Sequence, residues 1–377
     1  MPLFIGLMSG TSLDGIDAAL VDIVDSRPAR LLATRAVAMP EALRRQLLYL
    51  CHARQVDLAE LAAAEEAFCR LQAQAVNDLL ESQQLTAEHI SALGSHGQTI
   101  EHAPFGHTPG SSPYTWQLDN PSLLAELTRI RVVADFRRRD LAAGGQAAPL
   151  APAFHDALFR SDDDWQLVLN LGGFANLTLL PPRASDARVI GFDTGPANVL
   201  LDAWYQRHQE GRFDRDGQWA ASGKVLPALL ERLLDEAFFH RPPPKSTGRE
   251  VFHLNWLDAR LEGQERPRDV QATLAELSAA SIAGGIELAQ ETAQAPGVSR
   301  LYPCGGGAHN RDLVTRLKRY LPDTEIISPD TLGWPADWLE AGAFAWLAAR
   351  RLDHLPGNLP EVTGAKGPRV LGGVYAP

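Results

Sequence analysis

Two glycine-bearing turns, about half the chain apart, each join two runs that read as β-strands, and this pairing limits the possible folds most strongly. The first turn lies between apolar runs at 4–8 and 15–21, and the second between runs at 166–171 and 174–180. Apolar strands flanking a Gly/Ser/Thr/Asn turn predict a hairpin whose tip exposes backbone N–H groups, which bind anions. One hairpin in each half predicts a two-lobed phosphotransferase that grips one polyphosphate. The alternative is two ordinary hairpins of an α/β protein.

A third glycine-rich turn supports nucleotide binding. It follows a short apolar run at 301–304 and precedes an amphipathic stretch at 313–321, so a phosphate or a flat ring can approach its backbone closely. The alternative is a helix start with glycines for tight packing. The turn lacks the Gly-x-Gly-x-x-Gly dinucleotide pattern, and the chain contains no P-loop. The predicted nucleotide-binding residues are Gly10, Thr11, Ser12, Leu13, Asp14, Gly15, Ile16, Asp17, Gly172, Gly173, Asn176, Gly305, Gly306, Gly307 and Asn310.

Size and composition limit the partners. A chain of 377 residues exceeds the size at which one core usually stops growing, which predicts two domains. The net charge of −11 argues against a nucleic-acid or anionic-membrane surface. Three cysteines without metal-ligand spacing fit a reducing cytoplasm, and no run reaches the roughly 20 apolar residues of a membrane helix. We therefore expect a cytoplasmic enzyme of small molecules, with neither nucleic-acid nor membrane partners.

The order of elements repeats once along the chain, as hairpin, strands and helices, which predicts the α/β class. We predict a first lobe at 1–140 plus about 353–377, with the first phosphate hairpin. The second lobe, at 141–352, would hold the second hairpin and the third glycine turn. The Gly/Ala/Pro-rich stretch at 141–152 reads as a hinge or a loop.

Several long motifs are spread over nearly the whole chain. The most specific are 8–15 and 135–140, and others lie at 94–99, 172–176, 191–196 and 304–310. Together they resemble the anhydro-N-acetylmuramic acid kinase family of the actin-like sugar-kinase superfamily. The resemblance implies a two-lobed actin-like ATPase (ribonuclease H-like) fold with an interdomain cleft. It also implies a homodimer that uses ATP and Mg²⁺, with the Mg²⁺ ligands left open.

The same resemblance implies a hydrolytic kinase of peptidoglycan recycling. Family members convert 1,6-anhydro-N-acetylmuramic acid, ATP and water into N-acetylmuramic acid 6-phosphate and ADP. Asp193 matches the family's aspartate base, which activates water for attack on the anomeric carbon, and Glu340 matches a second carboxylate near the sugar. Carboxylates suit this role because they accept protons at pH 7, and inverting glycosidases also pair two of them. The alternatives are a helix N-cap for Asp193 and a first-turn acidic residue for Glu340.

Polar residues at two predicted strand ends match the family's substrate-facing half, where open α/β sheets bind ligands. Ser95, His96 and Gln98 would hydrogen-bond sugar groups, although a strand-end histidine is often only packed. Asp135 and Arg137 follow the second strand, and one arginine would meet the lactyl carboxylate bidentately. The alternative for the three successive arginines at 137–139 is solvated charge with one structural ion pair.

Three positions depart from family glycines, namely Asp119, Ala147 and Ala197. A side chain there would cost about 1 kcal/mol or more if the position needs a positive φ. Two other functions stay open at the sequence level. One is an ATP-independent glycoside hydrolase that uses Asp193 and Glu340, and the other is an actin-like ATP-binding protein without sugar chemistry.

Overall fold

The computed structural model describes residues 2–24, 27–53, 55–108, 110–249 and 251–377. Within these ranges no helix combines the length and the apolar content that a bilayer crossing requires. The strands are β1 (Leu3–Met8), β2 (Gly15–Val24), β3 (Arg27–Ala38), β4 (Ile90–Ser95), β5 (Gln98–Ala103), β6 (Tyr114–Leu118), β7 (Val132–Ala134), β8 (Gln166–Leu171), β9 (Phe174–Leu180), β10 (Ile190–Pro196), β11 (Arg300–Cys304), β12 (Glu325–Ile326) and β13 (Gly373–Tyr375).

Several helices begin where the sequence provides a capping group or a proline. Asp57, for example, accepts hydrogen bonds from the N–H groups of Ala59 and Glu60, and Pro267 opens the longest helix. The helices are α1 (Glu41–His52), α2 (Leu58–Ser82), α3 (Pro121–Thr128), α4 (Phe136–Ala142), α5 (Ala151–Phe159), α6 (Asn198–His208), α7 (Gln218–Ser222), α8 (Pro227–Leu234), α9 (Leu254–Asp258), α10 (Pro267–Ala293), α11 (Arg311–Tyr320), α12 (Leu339–Leu352) and α13 (Pro360–Thr363).

The chain divides into two compact units. The first comprises Met1–Leu158 and Trp338–Pro377, and the second comprises Phe159–Asp337. The main sheet of the first unit has the strand order β13-β7-β4-β1-β2-β3. Its first three strands in sequence are antiparallel neighbours, and β4 and β7 extend the sheet in parallel on the other side of β1. The hairpin β5–β6 forms a separate two-stranded sheet.

The second unit repeats this topology within its own sheet. The strand order is β10-β9-β8-β11-β12, with β8, β9 and β10 antiparallel and β11 parallel to β8. Each sheet therefore places its first strand between a hairpin partner and a parallel crossover strand. This shared order is the ribonuclease H-like arrangement, and it confirms the predicted α/β, actin-like fold class within each unit.

The unit boundaries differ from the predicted lobes, because α12 and residues 141–158 belong to the first unit. Helix α12 packs on β1, β2 and β4. A Cβ at Gly6 would lie 1.8 Å from the carbonyl oxygen of Ala341, and one at Gly94 would lie 2.0 Å from that of Phe344. Glycines in the sheet thus permit backbone-to-backbone contact with this helix.

The stretch at 141–152 is a loop and the start of α5 inside the first unit rather than a segment at the unit boundary. The N–H of Gly145 donates to the carbonyl oxygen of Asp140 (3.0 Å), and that of Gln146 donates to the carbonyl oxygen of Thr363 (2.7 Å). The N–H of Ala147 donates to Asp140 Oδ2 at 2.8 Å. These bonds hold the loop within the first unit and favour the loop interpretation, and the hinge stays a prediction.

Candidate active site

The tip of the first hairpin offers open backbone. Its turn is closed by a hydrogen bond from the N–H of Leu13 to the carbonyl oxygen of Gly10 (3.2 Å). The side chains of Thr11, Ser12 and Asp14 are exposed. A Cβ at Gly10 would meet only Ser12 Oγ, at 3.8 Å. A ligand can therefore approach the backbone at Gly10 without displacing protein atoms.

Three other residues of the predicted first phosphate site are packed instead. Leu13 and Ile16 are each 1 % exposed and belong to the core of the first unit. A Cβ at Gly15 would lie 2.3 Å from the carbonyl oxygen of Val37 in β3. Asp17 lies in β2 and is half-buried. The side chains of Leu13 and Ile16 thus serve packing, and only the backbone there remains for a ligand.

The second hairpin tip, at Gly172 and Gly173, is held to the start of α6. The carbonyl oxygen of Gly173 accepts hydrogen bonds from the N–H groups of Ala197 (3.0 Å) and Val199 (2.9 Å). Asn198 Nδ2 donates to the carbonyl oxygens of Leu171 (2.9 Å) and Gly172 (2.8 Å). Sequence reasoning missed Asn198, although it closes the glycine–proline motif that follows Asp193. The tip is thus rigid, with its two glycines half-exposed.

The third glycine turn is mostly packed. A Cβ at Gly305, where φ is +74°, would lie 2.4 Å from Asn170 Oδ1, and one at Gly307 would lie 2.7 Å from Leu171 Cβ. Asn310 Oδ1 accepts from the N–H of Leu313 (3.1 Å) and caps α11. Tight packing at a helix start, the alternative interpretation, therefore describes these three residues. Gly306 is open, since no atom lies within 4 Å of its added Cβ.

Asp193 lies inside β10 and is held by backbone groups. Its N–H donates to the carbonyl oxygen of Lys245 (3.1 Å), and its Oδ2 accepts from the N–H of Thr247 (3.0 Å). Asn176 in β9 is its register partner. The N-cap of α6 is Ala197, so the N-cap alternative for Asp193 is excluded. The carboxylate is half-buried on a rigid strand, as a general base requires.

Arg137 is the centre of a polar cluster in the first unit. Its Nε and Nη2 contact His96 Nε2 at 3.2 and 3.0 Å, and its Nη1 donates to the carbonyl oxygen of Ala147 (3.0 Å). Burial lowers the pKa of Arg137 to about 10, whereas the nearby carboxylates of Glu340 and Asp140 raise it. The guanidinium therefore stays charged at neutral pH, close to Glu340.

His96 is a neutral acceptor in this cluster. It is 6 % exposed, and its ring centroid lies 4.7 Å from that of Phe344. Burial, and after it the positive charge of Arg137, lowers the pKa of His96 to about 3. Because Nε2 accepts from the guanidinium, we assign the ring proton to Nδ1. His96 thus orients Arg137, in line with a packed strand-end histidine.

The side chains of Ser95 and Gln98 are turned into the first unit. Ser95 is fully buried; its Oγ donates to Asp119 Oδ2 (2.7 Å) and accepts from Gln72 Nε2 (2.8 Å). The single hydroxyl proton of Ser95 is thereby used. Gln98 is 1 % exposed, with Nε2 3.3 Å from the carbonyl oxygen of Thr99. The side chains of these two predicted sugar contacts are therefore buried.

The three arginines at 137–139 have different surroundings. Asp135 adopts a left-handed conformation (φ 57°, ψ 51°), which is uncommon for a non-glycine residue and often marks a functional site. Arg138 lies 3.6 Å from Asp135 Oδ2 and stacks over Trp116, and Arg139 is exposed. Arg137 alone of the three points inward, so the solvated-charge alternative holds for its two neighbours.

No group of three or more His, Cys, Asp or Glu side chains able to hold a metal ion occurs in the described parts of the chain. Mg²⁺ in phosphoryl-transfer sites is usually held by one or two carboxylates, waters and the substrate phosphates. The exposed Asp14, next to the open tip at Gly10, fits such a sparse site.

Comparison with known proteins gives a consistent result along the full length. The profile of the anhydro-N-acetylmuramic acid kinase family matches residues 2–377. A protein named anhydro-N-acetylmuramic acid kinase from Chromohalobacter salexigens is 63% identical over 380 residues, covering 100% of both chains. Proteins of the same name from Pseudomonas savastanoi and Pseudomonas syringae are each 53% identical over 374 residues, covering 99% of this chain and 98% of theirs. The chain therefore belongs to the anhydro-N-acetylmuramic acid kinase family.

Proposed function

We propose that the chain opens 1,6-anhydro-N-acetylmuramic acid with water and transfers the γ-phosphoryl group of ATP to O6. The products are N-acetylmuramic acid 6-phosphate and ADP, and the pathway served is peptidoglycan recycling. The observation that carries this proposal is the full-length identity of 63% with a protein named for this activity. A cytoplasmic homodimer stays a prediction from the resemblance.

Asp193 is the proposed base of the hydrolytic step. Its carboxylate would accept one proton of a water whose oxygen bonds to the anomeric carbon, while the bond from that carbon to O6 breaks. O6 then takes the γ-phosphoryl group, and ADP leaves. The hydrogen bond from the N–H of Thr247 fixes one carboxylate oxygen, which orients the group before substrate binds.

The substrate carboxylate is the proposed partner of Arg137. The contacts with His96 and with the carbonyl oxygen of Ala147 hold the guanidinium in one orientation, which lowers the entropy lost on binding. Glu340, in the first turn of α12, lies near this charge and is the proposed second carboxylate. The helix-dipole interpretation of Glu340 is compatible with this role.

Phosphate binding is proposed for the backbone at Gly10 and at Gly172 and Gly173, with Gly306 near the nucleotide. The surroundings of Gly10 and Gly306 leave room for a ligand. Gly172 and Gly173 are half-exposed at a rigid hairpin tip. Mg²⁺ bound with the nucleotide would neutralise charge on the phosphoryl group during transfer. Asp14 is the residue we propose to face that ion.

The decisive experiment measures ADP released from ATP with and without the anhydro sugar. The proposed kinase gives ADP only when the sugar is present. A hydrolase would open the sugar without consuming ATP, and an ATP-binding protein without sugar chemistry would turn ATP over slowly in either case. Asp193→Asn should keep the melting temperature and ATP affinity but lower the sugar-dependent rate by about 10²–10⁴-fold. A folded Asp193→Asn protein with near-normal turnover would refute the base assignment.

A further inference from the structure

A buried lysine beside the proposed base has no part in the reaction described above. Lys245 lies in the loop between α8 and α9 and is 8 % exposed. Its Nζ donates to the carbonyl oxygens of Phe238 (3.3 Å) and Phe239 (3.1 Å). It also lies 4.8 Å from the ring centroid of Phe238 and 5.6 Å from that of Phe192. Carbonyl oxygens and aromatic faces together form a cage for a cation.

The same short segment holds Asp193 from two directions. The carbonyl oxygen of Lys245 accepts the N–H of Asp193, and the N–H of Thr247 donates to Asp193 Oδ2. The first bond fixes the backbone of β10, and the second fixes the carboxylate. Anchoring the side chain of Lys245 therefore anchors the two backbone groups that orient the base.

The cage also places a positive charge near the carboxylate. Burial and then the positive charge of Arg241 lower the pKa of Lys245, Asp193 acts in the opposite direction, and the resulting pKa is about 8. Lys245 is thus mostly protonated at neutral pH, and its charge favours the ionised form of Asp193.

We propose that Lys245 is a positioning residue for Asp193: its caged ammonium anchors segment 245–247, whose backbone hydrogen bonds hold the carboxylate in the orientation that water activation requires. The inference rests on the proposed function, because it assumes that Asp193 is the base. Direct contact of Lys245 with a substrate does not fit the geometry, since two carbonyl oxygens and two rings already surround the nearly buried ammonium.

The test compares Lys245→Met, which keeps the length but loses the charge, with Lys245→Arg, which keeps the charge on a wider, planar group. Both variants should lower kcat, Lys245→Met by about 10–10²-fold and Lys245→Arg by less. The KM for the sugar should stay within about twofold of wild type, because a misplaced catalytic group lowers the rate rather than substrate binding. In Lys245→Met alone, the acidic limb of the kcat/KM profile should move to higher pH, because the base loses a nearby cation. A purely structural role would not move that limb.

The control is Lys318→Met, since Lys318 is exposed on α11 of the same unit. Wild-type kcat in either folded Lys245 variant, or a raised KM with unchanged kcat, would overturn the proposal. If Lys245→Met does not fold, Lys245→Arg decides the question alone. Asp193→Asn in the same assay distinguishes a failure of the base assignment from a failure of the positioning role. If Asp193→Asn retains turnover, the proposed base is wrong. If it loses turnover while the Lys245 variants behave as wild type, only the positioning role fails.

Discussion

At the residue scale, the three departures from family glycines have different consequences. Ala147 does occupy a positive φ (+60°), and its side chain is fully buried. The buried Asp140 stabilises it: Oδ2 accepts the Ala147 N–H, and Oδ1 accepts from Asn358 Nδ2 and Thr363 Oγ1, both at 2.7 Å. Neither Asp119 nor Ala197 has a positive φ. The expected backbone strain therefore occurs only at Ala147, whose carbonyl oxygen accepts the hydrogen bond from Arg137.

Asp119 instead carries an electrostatic cost, which gives a pH-dependent prediction. The pKa of Asp119 is raised from 3.8 to about 6, mainly by burial and to a smaller extent by the charge of Glu65. Hydrogen bonds from Ser95, the backbone of Asn120 and Gln72 act in the opposite direction. The folded state thus binds this proton more tightly than the unfolded state. Its contribution to stability is complete below about pH 4 and is lost as the pH rises through about 6.

Asp119→Asn removes this titration. Between pH 4 and 7.5 the free energy of unfolding of the variant should rise by about 1–3 kcal/mol relative to wild type, the value of a pKa shift of this size. Urea unfolding at both pH values measures the change. Asp353→Asn, at an exposed carboxylate of the same unit, is the control. Parallel pH dependence in wild type and Asp119→Asn would contradict the assignment.

Gly10 allows a clean test of the first phosphate site. Gly10→Val adds its side chain into open space, so the melting temperature should change little. The same side chain would block a phosphate from the backbone, so calorimetric ATP affinity should fall about tenfold or more, a loss of about 1.4 kcal/mol. Unchanged ATP affinity in the folded variant would exclude this tip from the nucleotide site.

At the element scale, the sequence predicted the strongly patterned segments. Both predicted glycine hairpins form, as β1–β2 and β8–β9. It missed β3, where Arg30, Thr34 and Arg35 interrupt the apolar pattern, because that strand pairs with β2 alone at the sheet edge. Long motifs gave the site predictions, as at Asp193, which the structure places within β10. Asn198 and Lys245 received no role from the sequence, because their contacts with Gly172 and Asp193 join segments that are distant along the chain.

Two adjacent glycines of α10 should respond oppositely to the same substitution. Gly284 is exposed, with no atom within 4 Å of an added Cβ, whereas a Cβ at Gly285 would lie 2.5 Å from Thr194 Cγ2. Gly284→Ala should stabilise the protein by about 0.5–1 kcal/mol, because alanine favours helix. Gly285→Ala should destabilise it by about 1–3 kcal/mol through overpacking.

Since Thr194 follows Asp193 in β10, Gly285→Ala should also lower kcat, whereas Gly284→Ala should not. Urea unfolding and sugar-dependent ADP release measure the two effects. Equal behaviour of the two variants would mean that α10 does not pack on β10 as described.

At the scale of the whole molecule, each unit has its own core, but their chain courses differ. The second unit is one continuous segment, whereas the first is completed by residues 338–377. Helix α12 contributes buried Leu339, Phe344 and Leu347, and β13 pairs with β7. The predicted second lobe, 141–352, included the segment that forms α12, because an apolar helix face does not specify which sheet it covers. Gly6 and Gly94 specify the sheet, because only their missing side chains leave room for the backbone of α12.

This chain course predicts an asymmetric response to truncation. A protein of residues 1–337 should keep the second unit folded and lose the first, because the sheet there would expose the apolar surface that α12 covers and Asp140 would lose Asn358 and Thr363. Hydrogen exchange should show unprotected amides in β1 and β4, whereas the amides of β8 and β11 should be as protected as in the full-length protein. Residues 159–337 alone should unfold in one cooperative transition. Protected β1 and β4 amides in the 1–337 protein would show that α12 is dispensable for the first unit, and loss of protection in β8 would show that the second unit depends on the removed segment.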